Sequence, residues 1–180
     1  MKHFVFLDRD GVINVERGDY TTTIDQWEWA PGALEGVKLL SNAGFGIIVI
    51  TNQSCIAKGL QTEEGLAKLH NFMVNHIRKA GGEILKIYHC PHRETDNCNC
   101  RKPEPGMLLK AAEEFGINLA ETFFIGDAER DIDAGKRAGT RTILLENAGI
   151  NRNIRADFRA ENLLDAARTV IRKSNTEVRS

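Results

Sequence analysis

Short apolar runs alternate with longer amphipathic segments along the chain, and the two kinds of segment predict different elements. The runs are rich in Ile, Val, Leu and Phe, which is typical of strands buried on both faces of a parallel sheet. In the longer segments apolar residues recur every three or four positions, which predicts amphipathic helices. The predicted strands are 4–7, 45–50, 84–89, 122–125 and 140–145, and the predicted helices are 31–42, 62–79, 105–115, a segment ending near 138, and 160–172.

This strict alternation predicts an α/β fold, a Rossmann-like parallel sheet with helices on both faces. A chain of 180 residues is long enough for one substantial core, so we expect a single domain over 1–180. The intervals 14–31 and 88–102 have room only for loops, which predicts that the fold carries no cap domain. A polar tail is expected from about residue 174.

Composition and charge exclude several classes of function. The formal net charge of −1 gives no sign of a nucleic-acid-binding surface, and no apolar run approaches membrane-spanning length. The chain enters a strand almost at once, which leaves no room for a signal peptide. Three of the four cysteines fall in one short loop, which favours a reduced, cytoplasmic protein. We expect a monomer without nucleic-acid or membrane partners.

Two carboxylates follow the first apolar run. Side chains two apart on an extended chain point the same way, so Asp8 and Asp10 leave the strand together at its carboxyl end. Adjacent carboxylates repel unless a cation lies between them, and Mg²⁺ is the usual cation for oxygen ligands. The alternative is a solvated turn that caps a helix.

Polar residues also follow three other predicted strands, and the carboxyl ends of parallel strands share one edge of the sheet. Asp127 supplies a further carboxylate for Mg²⁺, and Asp131 lies one helical turn beyond it. Thr51 offers a hydroxyl and Lys102 a compact positive charge, both suited to phosphate oxygens. Singly, these residues could be a helix cap, a solvated lysine and an exposed acidic run. Their coincidence at neighbouring strand ends favours a catalytic site.

The loop 90–100 predicts a zinc site. Cys90-Pro91-His92 and Cys98-Asn99-Cys100 form two pairs, each with one residue between its members, and five residues separate the pairs. The loop can therefore fold back and close a tetrahedron, and Cys₃His is a structural zinc set. The alternative is a flexible loop of reduced cysteines. The predicted ligands are Cys90, His92, Cys98 and Cys100.

Four ordered motifs resemble those of the haloacid dehalogenase superfamily of phosphatases. They are Asp8-x-Asp10-Gly11-Val12, Thr51, Lys102 and Gly126-Asp127-x-x-x-Asp131, and they cover most of the chain. The resemblance implies hydrolysis of a phosphate monoester, with Asp8 as the nucleophile that forms an aspartyl-phosphate. Asp10 would act as general acid and base, while Thr51 and Lys102 would offset charge on the phosphoryl oxygens.

The same resemblance implies the magnesium ligands. They would be Asp8, Asp10 through its backbone carbonyl, and Asp127, with Asp131 orienting Lys102 or metal-bound water.

Three further stretches are similar to the branch of the superfamily that acts on heptose bisphosphate and histidinol phosphate: Asp8-Arg9-Asp10-Gly11, Thr51-Asn52-Gln53-Ser54 and Cys100-Arg101-Lys102-Pro103. The branch implies a small sugar phosphate as substrate. The favoured one is D-glycero-D-manno-heptose 1,7-bisphosphate, cleaved at its 7-phosphate; histidinol phosphate or another small sugar phosphate is the alternative. The residues expected to bind it are Glu16, Arg17, Gly18, Asp19, Asn52, Gln53, Ser54 and Arg101.

A non-catalytic binding module stabilised by zinc is the rival class of function, and the presence of Asp8 and Asp10 with Lys102 argues against it. Two positions depart from the pattern of the branch. Cys55 stands where glycine is usual and would be strained if its φ were positive, and Ala128 stands where some relatives carry lysine. Both departures bear on substrate preference.

Overall fold

Six strands form one parallel sheet in the part of the chain that the computed structural model describes, residues 3–146 and 153–177. Their order across the sheet is β3-β2-β1-β4-β5-β6, and each neighbouring pair is parallel. The strands are β1 Phe4–Leu7, β2 Gly46–Asn52, β3 Lys86–Cys90, β4 Phe123–Gly126, β5 Arg141–Leu145 and β6 Phe158–Ala160. The helices are α1 Ala33–Asn42, α2 Glu63–Lys79, α3 Gly106–Phe115, α4 Glu129–Ala138 and α5 Leu163–Glu177.

The two faces of the sheet carry separate layers of apolar side chains, which confirms the predicted α/β architecture. On β1, Val5 and Leu7 pack in the layer that α1, α2 and α5 cover, whereas Phe4 and Phe6 pack in the layer that α3 and α4 cover. Successive strand residues point to opposite faces, so a strand buried on both sides must be apolar at every position. This is the pattern of the predicted runs.

The end of the described chain differs from the prediction. A sixth strand, β6, lies at the sheet edge where the sequence predicts the start of the last helix, and that helix begins at Leu163 and continues to Glu177. The predicted tail from about residue 174 is therefore wrong for residues 174–177, which belong to the helix. Residues 178–180 lie outside the described part. The strand was missed because β6 has only three residues, with an exposed arginine in the middle.

The topology places the carboxyl end of β1 between those of β2 and β4. The segments that follow β1 and β3 are loops with single short 3-10 turns, Ile24–Gln26 and Glu94–Asp96, so the described residues contain no cap domain. The edge of the sheet is therefore open above β1.

No helix within the described ranges is both long enough and apolar enough to cross a bilayer.

Candidate active site

Asp8 follows β1 directly and is 2% exposed. Its Oδ1 accepts the backbone N–H of Arg9 at 2.7 Å and lies 2.8 Å from Lys102 Nζ. Burial and the neighbouring carboxylate of Asp131 raise the pKa of Asp8 to about 7, against the lowering effect of Lys102. Because both contacts fall on Oδ1, the other carboxylate oxygen has no partner among the described residues.

Asp10 lies in a tight turn and is bound on both of its oxygens. Its Oδ1 accepts from Arg9 at 2.8 Å and from Asn14 at 2.9 Å, and its Oδ2 accepts from Gln53 at 2.8 Å. Burial alone would raise the pKa of Asp10, but the guanidinium of Arg9 and these hydrogen bonds hold it below the usual value. The structure thus keeps Asp10 in its charged form beside Asp8.

Lys102 is fully engaged with its surroundings. Its Nζ lies 2.9 Å from the Ile50 carbonyl oxygen, 2.8 Å from Asp8 and 2.7 Å from Asp131, and an ammonium has three donors. Burial opposes the charge of Lys102, but the two carboxylates outweigh it and raise its pKa. Asn52 Nδ2 donates to the Lys102 carbonyl and Asn52 Oδ1 accepts from the Lys102 N–H, both at 3.0 Å. These two bonds fix the backbone of Lys102 against β2.

The carboxylates of Asp8, Asp127 and Asp131 form a group whose oxygens lie within 4.8 Å of one another. Asp127 Oδ1 is buried without a hydrogen-bond partner in the described part of the chain, and burial followed by Asp131 and Asp8 raises the pKa of Asp127 to about 8. A Cβ on Gly11 would lie 1.9 Å from Asp127 Oδ2, so only glycine leaves room for this carboxylate. Hard oxygen ligands that repel one another fit a divalent cation such as Mg²⁺.

Thr51 and Gln53 belong to a hydrogen-bonded chain that leads to Asp10. Gln53 Nε2 donates to Thr51 Oγ1 and to Asp10 Oδ2, both at 2.8 Å. Thr51 therefore keeps its own hydroxyl proton for another acceptor. Cys55 below them is buried, and its φ is not positive, so the strain that a positive φ would cause does not arise at this position.

A cavity of about 410 Å³ opens above these groups. Two residues predicted to bind substrate do not line it: Arg17 lies 3.6 Å from Glu28 and is half exposed, and Gln53 is buried underneath. The position of Arg17 follows from the loop path, which its charge alone does not reveal. The predicted residues that do line the cavity are Asp8, Asp10, Glu16, Gly18, Asp19, Thr51, Asn52, Ser54 and Arg101.

Sequence reasoning missed several cavity residues: Arg9, Tyr20, Thr21, Lys58, Glu94 and Arg130. Arg9 stands between the two motif carboxylates, and strand alternation wrongly suggests that it points away from them. Tyr20 OH contacts Ser54 Oγ at 3.0 Å and Lys58 Nζ at 2.7 Å, which joins the loop after β1 to the loop after β2. No local signal reveals this long-range contact.

The predicted zinc ligands come together at the end of β3. The ligand atoms of Cys90, His92, Cys98 and Cys100 all lie within 4.8 Å of one another, and every pair except His92–Cys98 is 3.1–3.7 Å apart. The cysteines are free of disulfides. Sulfur atoms around a tetrahedral Zn²⁺ at about 2.3 Å would be separated by about 3.8 Å, so the cluster is close to a zinc cage. The four residues could therefore hold a metal ion.

Arg101 connects the two regions. Its guanidinium donates to the His92 carbonyl at 3.3 Å and to Glu94 at 3.1 Å. Together with Glu94 and Arg130 it separates the cavity above Asp8 from a second one of about 510 Å³, which lies beside the Cys/His cluster.

Comparisons with known proteins identify relatives over most of the chain. Residues 99–166 match the HAD-hydrolase-like family. The D-glycero-beta-D-manno-heptose-1,7-bisphosphate 7-phosphatase of Neisseria meningitidis is 41% identical over 141 residues, covering 78% of this chain and 75% of the relative. The Campylobacter jejuni enzyme named for the alpha anomer is also 41% identical, over 143 residues, covering 79% and 81%.

A solved structure gives the same result. The D,D-heptose 1,7-bisphosphate phosphatase of B. bronchiseptica, complexed with magnesium and phosphate, superposes with a TM-score of 0.87 at 30% identity and covers 95% of this chain and 99% of its own. The expected resemblance to the haloacid dehalogenase superfamily is confirmed. This chain belongs to the heptose-1,7-bisphosphate 7-phosphatase family of HAD-like hydrolases.

Proposed function

We propose that this protein is a Mg²⁺-dependent phosphomonoesterase that removes the 7-phosphate of D-glycero-D-manno-heptose 1,7-bisphosphate. The observation that carries the proposal is the arrangement around Asp8. One oxygen of Asp8 is held by Arg9 and Lys102, and the other has no partner among the described residues and belongs to a residue that lines an open cavity. The names of the relatives favour heptose bisphosphate over histidinol phosphate.

In the first step the unengaged oxygen of Asp8 attacks phosphorus. The bond from Asp8 to phosphorus forms while the bond from phosphorus to the sugar oxygen breaks. Asp10 gives its proton to the departing sugar oxygen. The approach of a phosphate dianion favours the protonated form of Asp10, because like charges repel, and this offsets the influence of Arg9 on the free enzyme.

In the second step water attacks the aspartyl-phosphate. Asp10, now a carboxylate, takes a proton from this water, and the bond between Asp8 and phosphorus breaks. The hydrogen bonds from Arg9, Asn14 and Gln53 orient the side chain of Asp10 for this role. Inorganic phosphate and the regenerated Asp8 are the products.

Asp8, Asp127 and the backbone carbonyl of Asp10 would hold Mg²⁺, with Asp131 behind them. The buried oxygen of Asp127 that lacks a partner supports this ligand set. When bound, Mg²⁺ neutralises carboxylate charge and polarises the phosphoryl group. Asp131 and Asp8 keep Lys102 charged, so its positive charge offsets charge on the phosphoryl oxygens.

The loops around the cavity offer groups that suit a polyol. Glu16 and Asp19 can accept hydrogen bonds from sugar hydroxyls, and Asn52 and Ser54 add further polar atoms to the cavity lining. Arg101 is suited to the second phosphate because its guanidinium can bind two oxygens at once. Both anomers occur among the names of the relatives, and the proposal includes both.

The Cys/His cluster is proposed to bind a structural zinc. Four ligands leave no open coordination position, and Arg101 ties the cluster to the cavity through the His92 carbonyl. Zinc would therefore order the loop that presents Arg101. A cytoplasmic monomer remains a prediction from the sequence.

A substrate screen with Mg²⁺ tests the proposal. The panel contains both anomers of heptose 1,7-bisphosphate, histidinol phosphate and a simple aryl phosphate, with the Asp8→Asn protein as the control. We expect the highest kcat/KM for one heptose anomer, loss of activity on chelation and its return with Mg²⁺. A preference for histidinol phosphate would overturn the substrate, and equal turnover by Asp8→Asn would overturn the nucleophile.

A further inference from the structure

Four cations line the cavity above Asp8, and three of them are engaged. Arg9 binds Asp10, Arg101 binds Glu94, and Lys58 donates to the hydroxyl of Tyr20. The fourth, Arg130, has neither a hydrogen bond nor an ion pair within the described ranges. Its guanidinium therefore offers five unused N–H donors at the cavity surface.

Arg130 lies on α4 between the two acidic residues of the last motif. It is adjacent to Asp131 and lines both cavities, and its side chain is exposed. Partial burial would lower the pKa of Arg130, but the carboxylates of Asp131, Asp8 and Asp127, followed by Glu16, outweigh it. None of these carboxylates forms an ion pair with the guanidinium, so they act on it only through longer-range attraction.

The donors available to a phosphoryl group are otherwise few. All three N–H groups of Lys102 are used by Ile50, Asp8 and Asp131, so Lys102 acts mainly through its charge unless it breaks one of these contacts. Thr51 contributes a single hydroxyl proton. A dianion with three terminal oxygens can therefore accept further hydrogen bonds from another side chain.

The charges lead to the same conclusion. Asp8, Asp10, Asp127 and Asp131 carry four negative charges when ionised, whereas Arg9 and Lys102 carry two positive charges. A divalent cation would balance this set, and the phosphate dianion would then add two unmatched negative charges. Arg130 supplies a further positive charge at the cavity, and no described residue forms a hydrogen bond or ion pair with it.

We propose that Arg130 binds the oxygens of the phosphoryl group that is transferred. It releases them when inorganic phosphate leaves the site at the end of the reaction. This proposal rests on the phosphatase function but not on the identity of the sugar. It assigns a different role to Arg130 than to Arg101, whose proposed ligand is the distal phosphate. Removal of Arg130 should therefore affect every phosphate ester alike.

The test compares Arg130→Ala and Arg130→Lys with the parent protein in the presence of Mg²⁺. We expect Arg130→Ala to raise the inhibition constant for inorganic phosphate by about tenfold or more. Its kcat/KM should fall about tenfold to hundredfold, by similar factors, for an aryl phosphate and for heptose bisphosphate. Arg130→Lys keeps the charge but not the planar guanidinium, so it should recover only part of the loss.

Arg78→Ala is the matched control, because it removes one exposed arginine from α2, which lines neither cavity. It should leave both constants unchanged. If Arg130→Ala does not fold, Arg130→Gln provides the same comparison with a longer side chain. An unchanged inhibition constant for phosphate would overturn the proposal, as would a loss confined to the bisphosphate.

The test of Arg130 can fail or succeed independently of the test of the proposed function. If heptose bisphosphate proves to be a poor substrate, the aryl phosphate and inorganic phosphate still measure the effect of Arg130. If no ester is hydrolysed, calorimetric binding of inorganic phosphate with Mg²⁺ to the parent and Arg130→Ala proteins replaces the inhibition assay. Equal affinity in that assay would overturn the assignment of Arg130.

Discussion

Two groups of candidate metal ligands lie at the carboxyl edge of the same sheet, and they are assembled in opposite ways. The Cys/His cluster comes from one loop, with all four ligands between Cys90 and Cys100. The carboxylate group takes Asp8 from one end of the chain and Asp127 from its second half, and the sheet brings them together. Soft ligands in a local loop and hard ligands on separate strands suit different metals.

The difference extends to what each group does for the protein. The carboxylates are buried and repel one another, which raises the pKa values of Asp8 and Asp127. A bound cation would relieve this repulsion. The Cys/His cluster has four ligands of its own, and a metal bound there would contribute its binding energy to folding. We therefore expect substitutions in the carboxylate group to change turnover, and substitutions in the Cys/His cluster to change stability.

The largest expected effect is that of Asp8→Asn. Asparagine keeps the oxygen that Arg9 and Lys102 bind but is not a nucleophile, so kcat should fall by at least about 1000-fold. The zinc content and Tm should stay close to those of the parent protein. Steady-state kinetics, elemental analysis and thermal unfolding measure the three quantities. Loss of zinc in this variant would mean that the two groups are not independent.

Cys98→Ser should have the reverse effect. The loss of one thiolate should release zinc and reduce the free energy of unfolding by at least about 2 kcal/mol, or roughly 4–8 °C in Tm. Cys55→Ser is the control, because Cys55 is a free cysteine outside the cluster. The Cys55→Ser protein should therefore retain its zinc. A Cys98→Ser protein that keeps one zinc per chain would contradict the proposed site.

Arg101→Ala sharpens the comparison at the point where the two regions meet. The loss of one charged hydrogen bond should lower kcat/KM for heptose bisphosphate about tenfold to hundredfold and leave an aryl phosphate nearly unaffected. Glu94→Gln is the control, because it removes the negative charge that pairs with Arg101 and leaves the guanidinium in place, and kcat/KM should not fall. Equal losses on both substrates would show that Arg101 serves the chemistry or the fold.

The smallest effect is expected in mild acid, at His70, which contacts Arg9. His70 accepts a hydrogen bond from the buried Arg9, and burial with that positive charge lowers its pKa to about 3. An unfolded histidine binds a proton near pH 6.5, so stability is complete above that pH and decreases as the pH falls toward 3. The loss between pH 7.5 and pH 5.5 should be about 1.4 kcal/mol.

Urea unfolding of the parent and His70→Gln proteins at several pH values measures this contribution. The substituted protein lacks the titrating ring. The free energy of unfolding of the parent, relative to that of His70→Gln, should therefore fall by about 1.4 kcal/mol between pH 7.5 and pH 5.5. A constant difference would show that His70 is protonated in the folded protein or is exposed.

Much of the fold follows from the sequence because buried parallel strands must be apolar at every position. The first five strands and the order of the helices are predicted from those runs alone. β6 is the exception, since three residues at a sheet edge need only pair with β5 and carry no apolar pattern of their own. A single exposed arginine in its middle was enough to conceal it.

The candidate ligand and nucleophile positions are likewise predicted from the sequence wherever the pattern is local. Cys90, His92, Cys98 and Cys100 are identifiable by spacing, and Asp8 with Asp10 by their place after an apolar run. Only the tertiary structure decided that Arg9 turns back onto Asp10 and that Arg17 pairs with Glu28 away from the cavity. It also places Arg130 beside the site without an ion-pair partner among the residues that it describes. The reason is physical: the direction of a long charged side chain depends on the partners that distant segments bring to it.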